Sequence, residues 1–249
     1  MARAALQRRL SWQLAEVVES IDETPRVRSI VLSAPDWQGH RAGQHVDVRL
    51  TAEDGYQAQR SYSIASAPDD HKLVLTVERL DDGEVSPYLV DELRPGDKLE
   101  LRGPIGGYFA WDADTGGPLL LVGGGSGIVP LMSILRQRIA SGSAAAVRLL
   151  ASWRTSGDII YATELERCAA VDGVEIVHTL TRESPAGWGG RIGRIDQAML
   201  ADVAWPAQTR GLSFVCGPTG LVEAVAAGLV GLGHEPGQIK TERFGPTGG

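Results

Sequence analysis

The chain has 249 residues, 43% hydrophobic and 22% charged, enough to bury a core in one large domain or two of ordinary size. Its net charge of −7 divides unevenly, with 13 Lys+Arg against 19 Asp+Glu over residues 1–113 and 11 against 12 over residues 114–249, so the first half repels nucleic acid. The two cysteines, Cys168 and Cys216, are too few for a cysteine-ligated iron–sulfur cluster or zinc site, no metal is expected, and a reducing, cytoplasmic compartment follows.

In chain order, "MARAALQRRL" carries arginines without an apolar run and reads as a short surface helix rather than a secretory signal. Six β-rich segments follow between turns: "WQLAEVVES", "VRSIVLSA", "QHVDVRL", "RSYSIAS", "KLVLTVERL" and "DKLELRGP". Their spacing predicts a six-stranded antiparallel Greek-key β-barrel. Between the fifth and sixth, "VSPYLVDEL" reads as a helix that starts at a serine before proline, apolar at Val85, Leu89 and Leu93.

From Pro118 the grammar changes to compact apolar strands alternating with amphipathic helices, beginning "PLLLVG", "IVPLMSILRQRIA", "AVRLLAS" and ending "QIKTERF". That is an α/β unit with a parallel sheet. The acidic, turn-rich stretch around residues 112–117 sets a boundary, giving a barrel domain over 1–113 and an α/β domain over 114–249. The uncharged run from Thr115 to Leu135 is broken by "GGGSG" and reads as strand, loop and helix, not a membrane span. A ligand is expected where the barrel meets the carboxyl ends of the parallel strands.

"GGGSGIVPL" places Gly124, Gly125, Ser126 and Gly127 after a buried strand, with Pro130 in the first turn of the helix. Free amides there favour an anion. No Gly-Lys-Ser/Thr follows, which excludes Walker A chemistry, and Ile128 replaces the last glycine of the dinucleotide fingerprint, leaving dinucleotide binding or a plain strand–helix turn. The next strand ends in "ASWRT", putting Arg154 where a 2′-phosphate needs a cation; Arg182 ends the third strand and Arg191 follows in "GGRIG". Converging, the three form a phosphate clamp that favours NADPH over NADH; singly, each is a solvated surface arginine. Cys216, Gly217 and Pro218 end the fourth strand, with Cys216 facing the crevice or buried as a small hydrophobe. In "RSYSIAS", Arg60 and Tyr62 share a strand face and offer a cation for a second pyrophosphate beside a ring for a planar cofactor. Flavin nucleotides have both parts.

With these motifs the chain resembles the ferredoxin–NADP reductase superfamily over nearly its whole length. "RSYSIAS" is similar to its Arg-x-Tyr-Ser flavin motif, "GEVSPYL" to its Gly-x-x-Ser pyrophosphate segment and "GPIGGYF" to its Gly-Pro-x-Gly turn. "GGGSGIVPLMSIL" is similar to its NAD(P) loop and "VCGPTGLVEAV" to its Cys-Gly-Pro motif. The resemblance implies that Arg60 binds the flavin pyrophosphate, Tyr62 stacks on the isoalloxazine and Ser63 hydrogen-bonds near N5. Because strand alternation puts Ser63 opposite Tyr62, this role needs a bend or an edge strand. Gly83, Val85 and Ser86 complete the pyrophosphate site through amides. Cys216 lies beside the nicotinamide C4, Glu242 matches the acidic residue near N5, and Phe244 matches the aromatic over the flavin's other face.

The implied activity is hydride transfer from NADPH, or NADH, to FAD and single-electron transfer onward; FMN is the alternative flavin. "GPTGG" runs past Phe244, whereas plant-type members end on their aromatic residue. With no fused iron–sulfur domain expected, the acceptor is separate: a ferredoxin, an oxygenase component, a cytochrome or a small molecule. The acidic first half makes a very acidic ferredoxin a less obvious partner. Two other readings are a flavin-holding electron-transfer or regulatory subunit of a larger complex and a reductase that releases reduced flavin.

Overall fold

The computed structural model describes residues 10–70 and 72–245. The helix expected at the N-terminus and the tail beyond Gly245 lie outside them, Leu10 apart. The first six strands are β1 (Gln13–Thr24), β2 (Val27–Ser33), β3 (His45–Thr51), β4 (Gln57–Ser63), β5 (Leu73–Glu78) and β6 (Lys98–Ile105). They form one antiparallel sheet in the order β4-β3-β6-β1-β2-β5. Beyond the ends of that order, Ile64 bridges Leu75 and the Ala65 amide donates to Val74 O, closing the sheet into a barrel. Alternation fills it: Ile30, Leu32, Val46, Val48, Leu75 and Leu101 are fully buried.

The expected helix after β5 begins at Ser86, where the Leu89 amide donates to Val85 O, and runs on as a π-helical turn over Tyr88–Glu92, in which the Leu93 amide donates to Tyr88 O five residues back. The wide turn buries the consecutive Leu89 and Val90, and Val85 and Leu93 enter the same core.

The second unit comprises β7 (Leu119–Gly124), α1 (Ile128–Ala140), β8 (Val147–Trp153), α2 (Ala162–Ala169), β9 (Val174–Leu180), β10 (Arg191–Ile192), α3 (Gln197–Val203), β11 (Leu212–Pro218), α4 (Thr219–Gly231) and β12 (Ile239–Phe244). All pairs are parallel, in the order β10-β9-β8-β7-β11-β12. Along β7, Leu119 and Leu121 join the core with α1 and α2, whereas Leu120 and Val122 join that with α3 and α4. A strand buried on both faces needs an unbroken apolar run, which "PLLLVG" supplies.

β10 was not expected; "GGRIG" adds a two-residue strand to the edge of β9. The core under α1 also takes in Val27, Ala42, Ala65, Phe109 and Trp111 from the barrel side, with Phe109 edge-on to Phe214 at 5.2 Å. The barrel keeps its own core, and these five residues join its outside to the parallel sheet. Among the described residues no helix is long and apolar enough to cross a membrane, and no cluster of three metal-binding side chains occurs.

Candidate active-site cleft

The chain lays β8 and β9 on one side of β7 and returns to place β11 on the other, so the switch of direction falls between the carboxyl ends of β7 and β11. A cleft of about 580 Å³ opens there, walled by the barrel on one side and these strand ends on the other. Ser61, Tyr62 and Ser63 contribute from β4, Thr76 and Glu78 from β5, Gly124, Gly125 and Ser126 from the loop after β7, and Pro218 and Phe244 from the ends of β11 and β12. Consecutive residues of β4 reach one cleft because β4 pairs along β3 alone and ends at Ser63. Its free edge faces the opening, which places Ser63 beside Tyr62 despite the alternation of side chains.

Tyr62 is half-buried against the barrel core, and burial raises its phenol above the ordinary value. Beneath it, Asp47 accepts the Ser61 hydroxyl at 2.7 Å and the Arg102 guanidinium at 2.7 Å. Burial opposes ionisation of Asp47, but these bonds outweigh it and hold the carboxyl below the usual range.

Arg60 does not line the cleft. Its guanidinium pairs with Glu84 at 2.5 Å, and the Tyr56 hydroxyl donates to the same carboxylate. The pair brings Arg60 to the Gly83–Ser86 segment, 24 residues along the chain. In that segment Ser86 Oγ accepts from the Leu80 amide at 3.1 Å, Val85 is fully buried, and a Cβ on Gly83 would stand 2.7 Å from Ser86 Oγ. The Gly83 amide donates to Leu80 O at 3.0 Å, whereas the Ser86 hydroxyl only accepts and keeps its own proton to donate.

The glycine loop is tight for identifiable reasons. Gly125 has φ +55°, a Cβ on Gly124 would stand 2.6 Å from Leu221 Cδ1, and one on Gly127 would collide with the Cys216 carbonyl oxygen. Across the cleft, Ser126 Oγ donates to Glu78 Oε2 at 2.7 Å.

Cys216 pairs with Glu242 in the β11–β12 register, one pair before Gly217 with Arg243 and two before Pro218 with Phe244. Burial, and then the Glu242 charge, push the Cys216 thiol well above its ordinary value, so it stays protonated and a poor nucleophile. Burial alone pushes Glu242 up to about 7. Phe244 is 36% exposed at the mouth.

Arg154 lines the cleft, and the Arg182 amide donates to Arg154 O at 2.9 Å, which sets the two residues side by side. Neither guanidinium has a side-chain partner among the described residues. Arg191 departs from the expected three-arginine clamp: it pairs with Asp202 of α3 at 3.0 Å, because β10 carries it along the sheet edge. Sequence reasoning missed Glu78, Arg26 and Trp153 on the cleft wall. An acidic residue ending an apolar strand was the one available signal for Glu78.

These residues fit a flavin and a dinucleotide: a flat ring on the barrel wall, a second ring at the mouth, and a backbone cradle that a Cβ would fill. The family described as Oxidoreductase FAD-binding domain matches residues 15–110, and that described as Oxidoreductase NAD-binding domain matches residues 121–227. The naphthalene 1,2-dioxygenase system ferredoxin–NAD(P)(+) reductase component of Pseudomonas putida is 31% identical over 206 residues, 83% of this chain and 61% of that protein. The glycine betaine monooxygenase reductase subunit of Pseudomonas aeruginosa is 34% identical over 94% of this chain and 64% of that protein. The chain thus spans less than two thirds of the length of these two relatives. The crystal structure of the Amycolatopsis cytochrome P450 reductase GcoB superposes with a TM-score of 0.83 at 30% identity, covering 95% of this chain and 71% of that one. On these matches, and on the two-sheet architecture around the cleft, the chain belongs to the ferredoxin–NADP reductase superfamily.

Proposed function

We propose that the chain is a flavin-dependent NAD(P)H oxidoreductase that passes single electrons to a separate acceptor, a ferredoxin or an oxygenase component. The observation that carries this reading is the meeting of the Tyr62–Ser63 edge with the glycine loop and the Pro218–Phe244 pair in one cleft. The relatives named for dioxygenase, monooxygenase and cytochrome P450 systems support the choice of acceptor. FAD rather than FMN follows from the matched family.

FAD held by Tyr62, Ser63 and Arg60 would supply the redox chemistry, taking two electrons as hydride from a pyridine nucleotide and releasing them singly. Tyr62 and Phe244 hold planar groups in the slot and keep water out. Ser63 offers its hydroxyl at the free edge of β4. Arg60 exchanges its exposed Glu84 partner, a weak tie, for a phosphate, while the amides of Val85 and Ser86 complete that anion site, Gly83 shaping the turn with its amide on Leu80 O. Gly124, Gly125, Ser126 and Gly127 receive the nucleotide pyrophosphate, with Gly217 and Pro218 closing the loop's far side. Cys216 brings an uncharged thiol to the nicotinamide end, and Glu242 holds or yields a proton at its carboxyl near neutral pH.

NADPH is the preferred donor in this reading. Arg154 and Arg182 stand adjacent with free guanidinium groups, whereas the nearby Asp158 and Glu183 are tied to the amides of Thr155 and Ser156. The division between flavin and nucleotide domains falls at residues 113/114, within the turn over Ala113–Thr115. A cytoplasmic setting suits Cys168 and Cys216, both free.

Anaerobic mixing of flavin-loaded protein with NADPH and, separately, NADH tests the reading through bleaching of the visible flavin band. Fast bleaching, quicker with NADPH, followed by reoxidation on adding a ferredoxin, is the expected result. A yellow protein that neither nucleotide bleaches favours a flavin-holding subunit instead. Flavin lost on gel filtration points to a reductase that releases it.

A further inference from the structure

Glu78 ends β5 on the barrel wall, and its Oε2 accepts the Ser126 hydroxyl across the cleft at 2.7 Å. A Cβ built on Gly125 would stand 3.9 Å from the same oxygen, so the carboxylate lies over the glycine loop itself. The joint between the two units does not depend on this bond. Ser133 donates to Ser66 O and Arg136 to Ala65 O, neither of them in the loop. Nor is Glu78 neutralised by the cation on its own wall, since Arg26 is committed to Asp81 and to Arg79 O.

A glycine loop at the start of a 13-residue helix attracts anions, and here an anion of the protein's own already rests on it. A pyrophosphate entering the loop meets that charge within a few ångströms, in a cleft where water screens it poorly. We infer that Glu78 sets the affinity for the pyridine nucleotide: it caps the empty loop through Ser126, releases that hydroxyl when pyrophosphate docks, and its charge speeds departure of the oxidised nucleotide. The inference rests on the reading of this loop as the nucleotide site. Because both nucleotides carry the same pyrophosphate, Glu78 weakens both alike and is independent of the 2′-phosphate choice at Arg154.

Calorimetric titration of the flavin-loaded chain with NADP+ and, separately, NAD+ tests this at low salt, comparing wild type with Glu78→Gln. Glutamine keeps the shape and an oxygen that accepts from Ser126 while removing the charge. The expected result is roughly tenfold tighter binding of both nucleotides, an advantage that shrinks as salt rises. Unchanged or weaker binding overturns the inference, because the charge is then not felt or the carboxylate is itself a nucleotide ligand. Should Glu78→Gln fail to retain flavin, Glu78→Ala gives the same reading with the same expected sign. If wild type and variants all bind neither nucleotide, the nucleotide site itself is refuted; that outcome is distinct from nucleotide binding that ignores Glu78.

Discussion

The two sides of the contact between barrel and parallel sheet are built oppositely. At the back, several polar groups are paired within the protein: Arg136 forks onto Glu164 and donates to Ala65 O, and Ser133 donates to Ser66 O. At the front, Arg154 and Arg182 lack side-chain partners among the described residues, and Phe244 stands 36% exposed. Guanidinium groups are held by the protein where the two units are joined and left open where a ligand completes them. A locked back keeps the two walls of the front cleft in register.

The contrast breaks most severely at Gly127, where a methyl group meets the Cys216 backbone rather than a side chain that can turn away. Gly127→Ala should lose more than about 4 kcal/mol in denaturant unfolding or fail to fold; a loss under about 1 kcal/mol would show that the loop is looser than described. Next, Arg136→Ala strands Glu164 and frees Ala65 O at the back. It should destabilise by about 2–4 kcal/mol and split unfolding into two transitions, and a wild-type curve would remove the back from its role as the lock.

Glu242 gives a smaller, pH-dependent effect. Below about 4.5 it is protonated in both folded and unfolded chains and contributes nothing. Between about 4.5 and 7 the folded chain keeps a proton that the unfolded chain releases, so stability falls as pH rises, with the full penalty above about 7. The difference between wild type and Glu242→Gln should grow over that window to at most about 3 kcal/mol. A difference independent of pH contradicts the buried carboxyl. At the open front, Arg154→Ala and Arg182→Ala should each weaken NADPH roughly tenfold and leave NADH almost unaffected. Equal losses for both nucleotides would move these arginines off the 2′-phosphate.

Local pattern explains what was legible. The barrel strands alternate, β7 is apolar throughout, and Val85, Leu89 and Leu93 are buried as their spacing implies. The π-helical form of that turn was not legible, because α and π turns share the same apolar spacing over so few residues. β10 has two residues, too short for any period. In the cleft, the motif order pointed to Tyr62, the glycine loop and Phe244. Ser63 needed an edge strand, and edge status is a property of the whole sheet. Arg191 went astray because α3 supplies Asp202 from 11 residues away, and Glu78 was missed because Ser126 lies 48 residues on.

The account turns on Tyr62 and Ser63 forming the barrel wall against which nucleotide and flavin meet. The direct measurement is the anaerobic single-turnover rate of flavin bleaching by NADPH in wild type, Tyr62→Ala and Ser63→Ala, each loaded with FAD. Both variants should reduce more slowly than wild type while retaining its fold by circular dichroism. Wild-type rates in both would contradict the placement of the active centre in this cleft.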